Sequence, residues 1–142
     1  MSVVRVATCQ FPVSARIEVN LEYVTRQVRA AKARGADVAH FPEGALSGYA
    51  GADFDTFADV DWDALRQATT EVLRCARESG IWVVLGSAHR LSDATKPHNS
   101  LYVIDDAGQI TTSGSARDRT WSITAPVTTP ARGSSTGSAA GR

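Results

Sequence analysis

Residues 40–50 read HFPEGALSGYA, and the fold turns on how this stretch is taken. Ala36–Phe41 is a short apolar run interrupted by His40 and halted by Pro42, as expected for a strand. Glu43 then stands at the carboxyl end of that strand, and Gly44 and Gly48 allow the backbone to turn sharply behind it. In open α/β sheets, ligands gather outside the carboxyl ends of strands, so a carboxylate there is placed for chemistry. On spacing alone, Glu43 is either such a group or a solvent-facing loop residue.

The flanking sequence settles the class of fold. Upstream, residues 3–9 (VVRVATC) form a β-branched strand, ended by Gln10 and the Phe11-Pro12 step. Ile17, Leu21, Val24, Val28 and Ala31 then recur at helical spacing, with Ser14 as the candidate cap and Gly35 as the stop. Downstream, residues 44–60 read as a loop with several aromatics. Asp61 or Asp63 can cap a second helix, with Leu65, Ala68, Val72 and Cys75 or Ala76 facing inward and Gly80 closing it. Ile81–Leu85 is an uninterrupted apolar run, as expected for a strand covered on both faces. A polar loop (92–99), a strand (101–104), a turn (105–108) and the start of a return strand at Gln109-Ile110 follow. Strand–helix–strand–helix–strand–strand is an α/β layered pattern.

Composition excludes several functions and exposes a discontinuity. The 142 residues carry 15 basic and 15 acidic side chains, with no basic cluster to serve a nucleic-acid binder. No apolar stretch approaches the length of a membrane span, and MSVVRVATCQ does not resemble a secretory leader. Two cysteines, Cys9 and Cys75, make no disulfide framework and suit a reducing cytoplasm. The neutrality, however, averages a body of −3 and a segment of +3 over residues 111–142. There Thr, Ser, Ala, Gly and Pro supply 24 of 32 residues. Only Trp121, Ile123 and Val127 are large and apolar, too few to offset the entropy of ordering, so this segment reads as a disordered tail.

HFPEG resembles the first catalytic motif of the carbon–nitrogen hydrolase (nitrilase) superfamily. VRVATCQFPV is similar to that family's opening strand, AKARGADVAHFPE to its helix-to-strand approach, VVLGSAHR to its third strand and HNSLYVIDDAGQI to its following hairpin. The likeness covers residues 3–110 in the family's order. It implies a four-layer α-β-β-α sandwich, of which this chain supplies the N-terminal portion, and hydrolysis of a small amide, nitrile or carbamoyl compound without cofactor or metal. It also implies a Glu–Lys–Cys triad: a Cys thiolate attacks, a carboxylate moves the protons, and an ammonium steadies the tetrahedral intermediate.

Carried across, Glu43 is the general base. The family's Lys falls after Ile110, where this chain has none, and its Cys falls later still. Cys9 and Cys75 read instead as small buried hydrophobes, and Lys96 as a surface residue before the hairpin. Asn99 matches an Asn common at that point of the family. It either hydrogen-bonds to the catalytic loop or merely opens a strand. Tyr49 and Phe54 either line the pocket or join the core. His40, His89 and His98 lack metal-ligand spacing.

These expectations divide the chain into a partial hydrolase domain (1–110) and a tail (111–142). Read one phase over, the tail's Thr, Thr, Ser, Gly, Ser and Ala codons permit Tyr-Asp-Lys-Arg-Phe-Cys, similar to the family's Lys segment, so the tail is expected to be a frame-shifted readout. A polypeptide of this sequence is then expected to be inactive. Two alternatives stay open: a fragment that docks on a full-length homologue or forms homo-oligomers, and an unrelated small α/β ligand-binding domain.

Overall fold

The computed structural model describes residues 3–90, 97–117 and 120–124. Short β-branched and alanine runs give two parallel strands, β1 (Val6–Thr8) and β2 (Val38–His40), joined through α1 (Ile17–Ala33). β2 is followed by a one-turn 3-10 helix (Phe57–Asp59), α2 (Trp62–Ser79) and β3 (Trp82–His89), which lies parallel to β2. β4 (His98–Ile104), β5 (Ile110–Arg117) and β6 (Thr120–Thr124) continue antiparallel. The six strands lie side by side in chain order. No helix among the described residues is long and apolar enough to cross a membrane.

α2 forms for the reasons its sequence gives. Asp61 Oδ1 accepts the free N–H groups of Asp63 and Ala64, capping the helix start. Leu65, Ala68, Val72, Cys75 and Ala76 are all buried, and Gly80 ends the helix in the left-handed region. α1 departs from expectation at its start. Its capping position is Arg16, which makes no side-chain cap; the Ser14 hydroxyl accepts only from the Arg16 N–H. Leu21 is half-buried, and buried Asn20 takes a place on the inward face.

The core lies between the helices and one face of the sheet. Ala39, Val83, Leu85, Tyr102 and Ile104 point into it, alternating along their strands as the pleat requires. Phe11 bridges the entry of α1 and the end of β2, stacking on Tyr23 at 5.0 Å and meeting Phe41 edge-on. The opposite face is thinly covered. Val6 is 58% exposed and Trp82 40%, while Val38, Val84, Leu101 and Val103 are half-buried. The expectation that residues 81–85 are covered on both faces therefore fails on one side, because both helices pack on the same face.

Strand boundaries also differ. β1 is shorter than residues 3–9, since its one neighbour, β2, is itself three residues long. β3 runs on to His89 and β4 starts at His98, because these ends pair with each other. In the segment read as a tail, residues 111–117 and 120–124 stand in strands, while 125–142 lie outside the described residues. The backbone edge of β4 supplies the hydrogen bonds for β5, and that ladder requires no large apolar side chains.

Candidate active site

Chemistry-bearing residues gather where β2 ends. The Phe41 N–H donates to the Val84 carbonyl at 2.9 Å, keeping the chain on β3 for one residue beyond the strand. Pro42 then cannot extend the ladder. The chain turns through Ala45, whose N–H donates to the Pro42 carbonyl, and returns to β3 where Leu46 N–H meets the Gly86 carbonyl at 3.1 Å. Glu43 stands at the head of this turn, exposed, while residues 44–48 beneath it are all buried.

Gly48 closes the turn, donating its N–H to the Gly44 carbonyl at 2.8 Å. Its φ of +80° is a conformation side chains avoid, and a β-carbon there would stand 2.8 Å from the Ser14 carbonyl oxygen. Two buried polar side chains complete the support. Ser47 Oγ accepts from the Ala88 N–H and donates to the Gly48 carbonyl, both at 2.8 Å. Asn20 Nδ2 donates to the Leu46 carbonyl at 3.1 Å.

Asn99, from the first residues of β4, sits opposite Ala88 on β3, and its Nδ2 donates to Glu43 Oε1. The two residues are 56 positions apart in sequence. Tyr49 follows the turn and is 45% exposed, with its backbone N–H held by the Asp53 carboxylate at 2.8 Å. Phe54 packs edge-on against Phe57, which in turn stacks near Trp62, so it belongs to an aromatic cluster. Lys96 lies outside the described residues.

Neither thiol is placed to act as a nucleophile. Cys9 and Cys75 are both buried, and burial pushes both thiols above the ordinary range. Cys9 Sγ faces its neighbour's backbone, the Ala7 carbonyl, at 3.6 Å, and Cys75 Sγ faces the Thr25 carbonyl between the helices. Next to the Ala88–Asn99 pair, His89 and His98 stand directly opposite each other. His89 Nδ1 lies 2.6 Å from Tyr102 Oη; burial pushes the Tyr102 hydroxyl up to about 12 and the His89 imidazole down, with His98 adding to the latter.

Asn20, Ser47 and Gly86 are the residues that reading the sequence misses. Asn20 left a trace, being a polar residue three after Ile17 and four before Val24 on an otherwise apolar stripe. Ser47 and Gly86 left none, because their importance lies in what crosses over them.

A family model described as carbon-nitrogen hydrolase matches residues 5–139, a range that runs beyond residue 110. No curated protein sequence matches the chain. Among solved structures, an amidase from Nesterenkonia sp. superposes with a TM-score of 0.70 at 20% identity, covering 79% of this chain and 42% of the other. A double mutant of the amidase from Nesterenkonia sp. AN1 in complex with acrylamide gives 0.70 at 19%, covering 79% and 42%. A mutant of the same enzyme showing Michael addition of acrylamide at the active site cysteine gives 0.71 at 19%, covering 80% and 44%. The chain thus spans about two fifths of the length of the structures it matches, and the fold it shares with them is the partial nitrilase-like α/β fold described above. On the extent of the family match, the chain belongs to the carbon–nitrogen hydrolase family.

Proposed function

We propose that this chain carries the general-base portion of an amide-hydrolysing site, with Glu43 as the base. The observation that carries the reading is the Glu43 carboxylate at the carboxyl end of β2, oriented by the Asn99 amide on an otherwise immobilised turn. In the proposed reaction, Glu43 takes the proton of a cysteine thiol and the thiolate attacks the amide carbon. Glu43 returns the proton to the leaving nitrogen as the thioester forms. It then deprotonates the water that releases the acid and regenerates the thiol. Carbamoyl compounds fit the same steps; a nitrile first gives a thioimidate, to which one further water adds before ammonia leaves and the thioester forms. The Nesterenkonia enzyme's active site cysteine supports a thiol nucleophile in this family. Asn99, bonded to Glu43, and Tyr49, which lies beside Gly44, are the residues proposed to support a substrate beside Glu43.

The 142 residues hold no Lys after Lys96 and no Cys after Cys75, and both thiols are buried. The polypeptide as written is therefore proposed to be inactive. Purified chain incubated with small amides and nitriles is expected to release no ammonia. Fused ahead of the later part of the Nesterenkonia amidase, residues 1–110 are expected to restore ammonia release that Glu43→Gln abolishes. Release that survives Glu43→Gln would exclude Glu43 as the base.

Composition also supports the proposal that residues 111–142 are an out-of-phase readout, with the in-phase domain ending near Ile110. The strands at 110–117 and 120–124 and the family match to residue 139 weigh on the other side. Sequencing the encoding DNA decides between them: a gene with no nitrilase-like continuation in the shifted frame removes the idea. The two unpaired thiols support a reducing, cytoplasmic location.

A second reading draws on the apolar sheet face. Exposed Val6 and Trp82, with half-buried Val38 between them and half-buried Val84 further along β3, support a fragment that associates with a full-length homologue or with itself. Scattering from purified chain tests it, a defined dimer or a co-purifying homologue being the expected result.

A further inference from the structure

Asn20 is a polar side chain with no exposed surface, and it uses every hydrogen-bonding position it has. Its Oδ1 accepts from the Ser14 N–H at 3.1 Å and faces the Ser14 hydroxyl at 3.4 Å. Its Nδ2 donates to the Ser14 carbonyl at 2.7 Å and to the Leu46 carbonyl at 3.1 Å. Three of these contacts are local and hold the entry to α1. The fourth spans 26 residues and ends on the turn that begins with Glu43.

An apolar residue would fill the same place on the stripe of α1, next to Ile17 and Val24, without the cost of burying an amide. The amide holds Ser14 through three contacts, and it alone reaches the turn, through the N–H aimed at Leu46. On the other side of the turn, Ser47 holds the Ala88 N–H of β3, the residue paired with Asn99. The turn is therefore gripped from the helix layer by Asn20 and from the sheet by Ser47, within four residues of Glu43.

We propose that Asn20 is a positioning residue for Glu43: its amide fixes the 43–48 turn so that the carboxylate meets Asn99. This rests on Glu43 being the functional carboxylate, but the contact it predicts is measurable without any turnover.

The test reads the side-chain amide resonances of Asn99 by 15N NMR in the intact 142-residue chain, with Glu43→Ala marking their position when the carboxylate is gone. Asn20→Leu is expected to move these resonances more than half of the way to the Glu43→Ala position while core methyl signals stay dispersed. Asn20→Asp keeps the acceptor for the Ser14 N–H and loses both donors, so it is expected to do the same. Val72→Ala, a core change on α2 outside the hydrogen bonds of the turn, is expected to leave the resonances in place. Unmoved Asn99 resonances in a folded Asn20 variant would overturn the proposal. So would loss of dispersion in both Asn20 variants, since Asn20 would then hold the whole fold and not the turn. If Glu43 proves not to be the base, the amide shift still appears and only the fusion enzyme's activity fails to depend on Glu43.

Discussion

Gly86 of β3 lies directly beneath Glu43: a β-carbon built on Gly86 would stand 2.8 Å from the Glu43 Cα and 2.9 Å from the Gly44 nitrogen. These are backbone atoms, so neither can swing aside as the end of a side chain would. Gly86→Ala is therefore expected to lift the turn off β3 and lengthen the Leu46 N–H contact to the Gly86 carbonyl. Overpacking of this kind costs about 1–3 kcal/mol. Urea denaturation reads that cost, and the Asn99 side-chain amide reads the displacement of the carboxylate.

The capping of α2 predicts a smaller loss. Asp61→Ala strips the acceptor from two free N–H groups at the helix start. A loss of about 1 kcal/mol is expected, within the usual 0.5–2 kcal/mol for such caps. Asp61→Asn, which keeps the acceptor oxygen, should recover most of it in the same denaturation experiment.

Leu85 is fully buried at the centre of the sheet, facing the helices and paired with Tyr102. Leu85→Ala is expected to destabilise the fold by about 2–5 kcal/mol, the range for cavities left by buried leucines. An unchanged midpoint in urea would mean that the helices do not close over this face.

Stability should fall as the solution is acidified past neutrality. Burial and the facing His98 push the His89 imidazole below its ordinary value, while the unfolded chain keeps the ordinary value of about 6.5. The unfolded chain therefore binds the proton first, so the contribution of neutral His89 is present above about pH 6.5 and is lost as pH falls through the depressed folded value. The groups facing it are the Tyr102 hydroxyl and the cross-strand His98. Melting temperatures across pH 7.5 to 5 should decline in the native chain and decline less in His89→Gln.

Trp82 offers a prediction about solubility. It is 40% exposed, next to half-buried Val38 and across the sheet from exposed Val6. Trp82→Lys is expected to reduce light scattering of concentrated protein with a change in stability within about 0.5 kcal/mol, as for ordinary surface substitutions. Equal scattering from both proteins would place self-association elsewhere.

These elements differ in how far their sequences reveal them. α2 is readable in full because its information is local: a cap, a stripe at helical spacing and a closing glycine. The extension of β3 through Gly86, Ser87, Ala88 and His89 is not, since none of these residues favours a strand and each is held there by its partner on β4. The same holds for β5 and β6, where backbone pairing orders a segment whose composition argues for disorder. In the site, the place of Glu43 after a strand is visible, and its motif points to Asn99. The Asn20–Leu46 and Ser47–Ala88 bonds are not, because each joins residues 26 or more apart through an amide or hydroxyl whose partner is a main-chain atom.

Because the strands lie side by side in chain order, each new strand finds its partner already made, and none waits for a distant segment. A chain emerging from the ribosome can extend this sheet one strand at a time. The Glu43 turn is the exception to that order. It leaves β2 early but rests on Val84, Gly86 and Ala88, and its carboxylate meets Asn99 of β4. The carboxylate is synthesised before β3 and β4 and meets Asn99 only when that pair has closed beneath it.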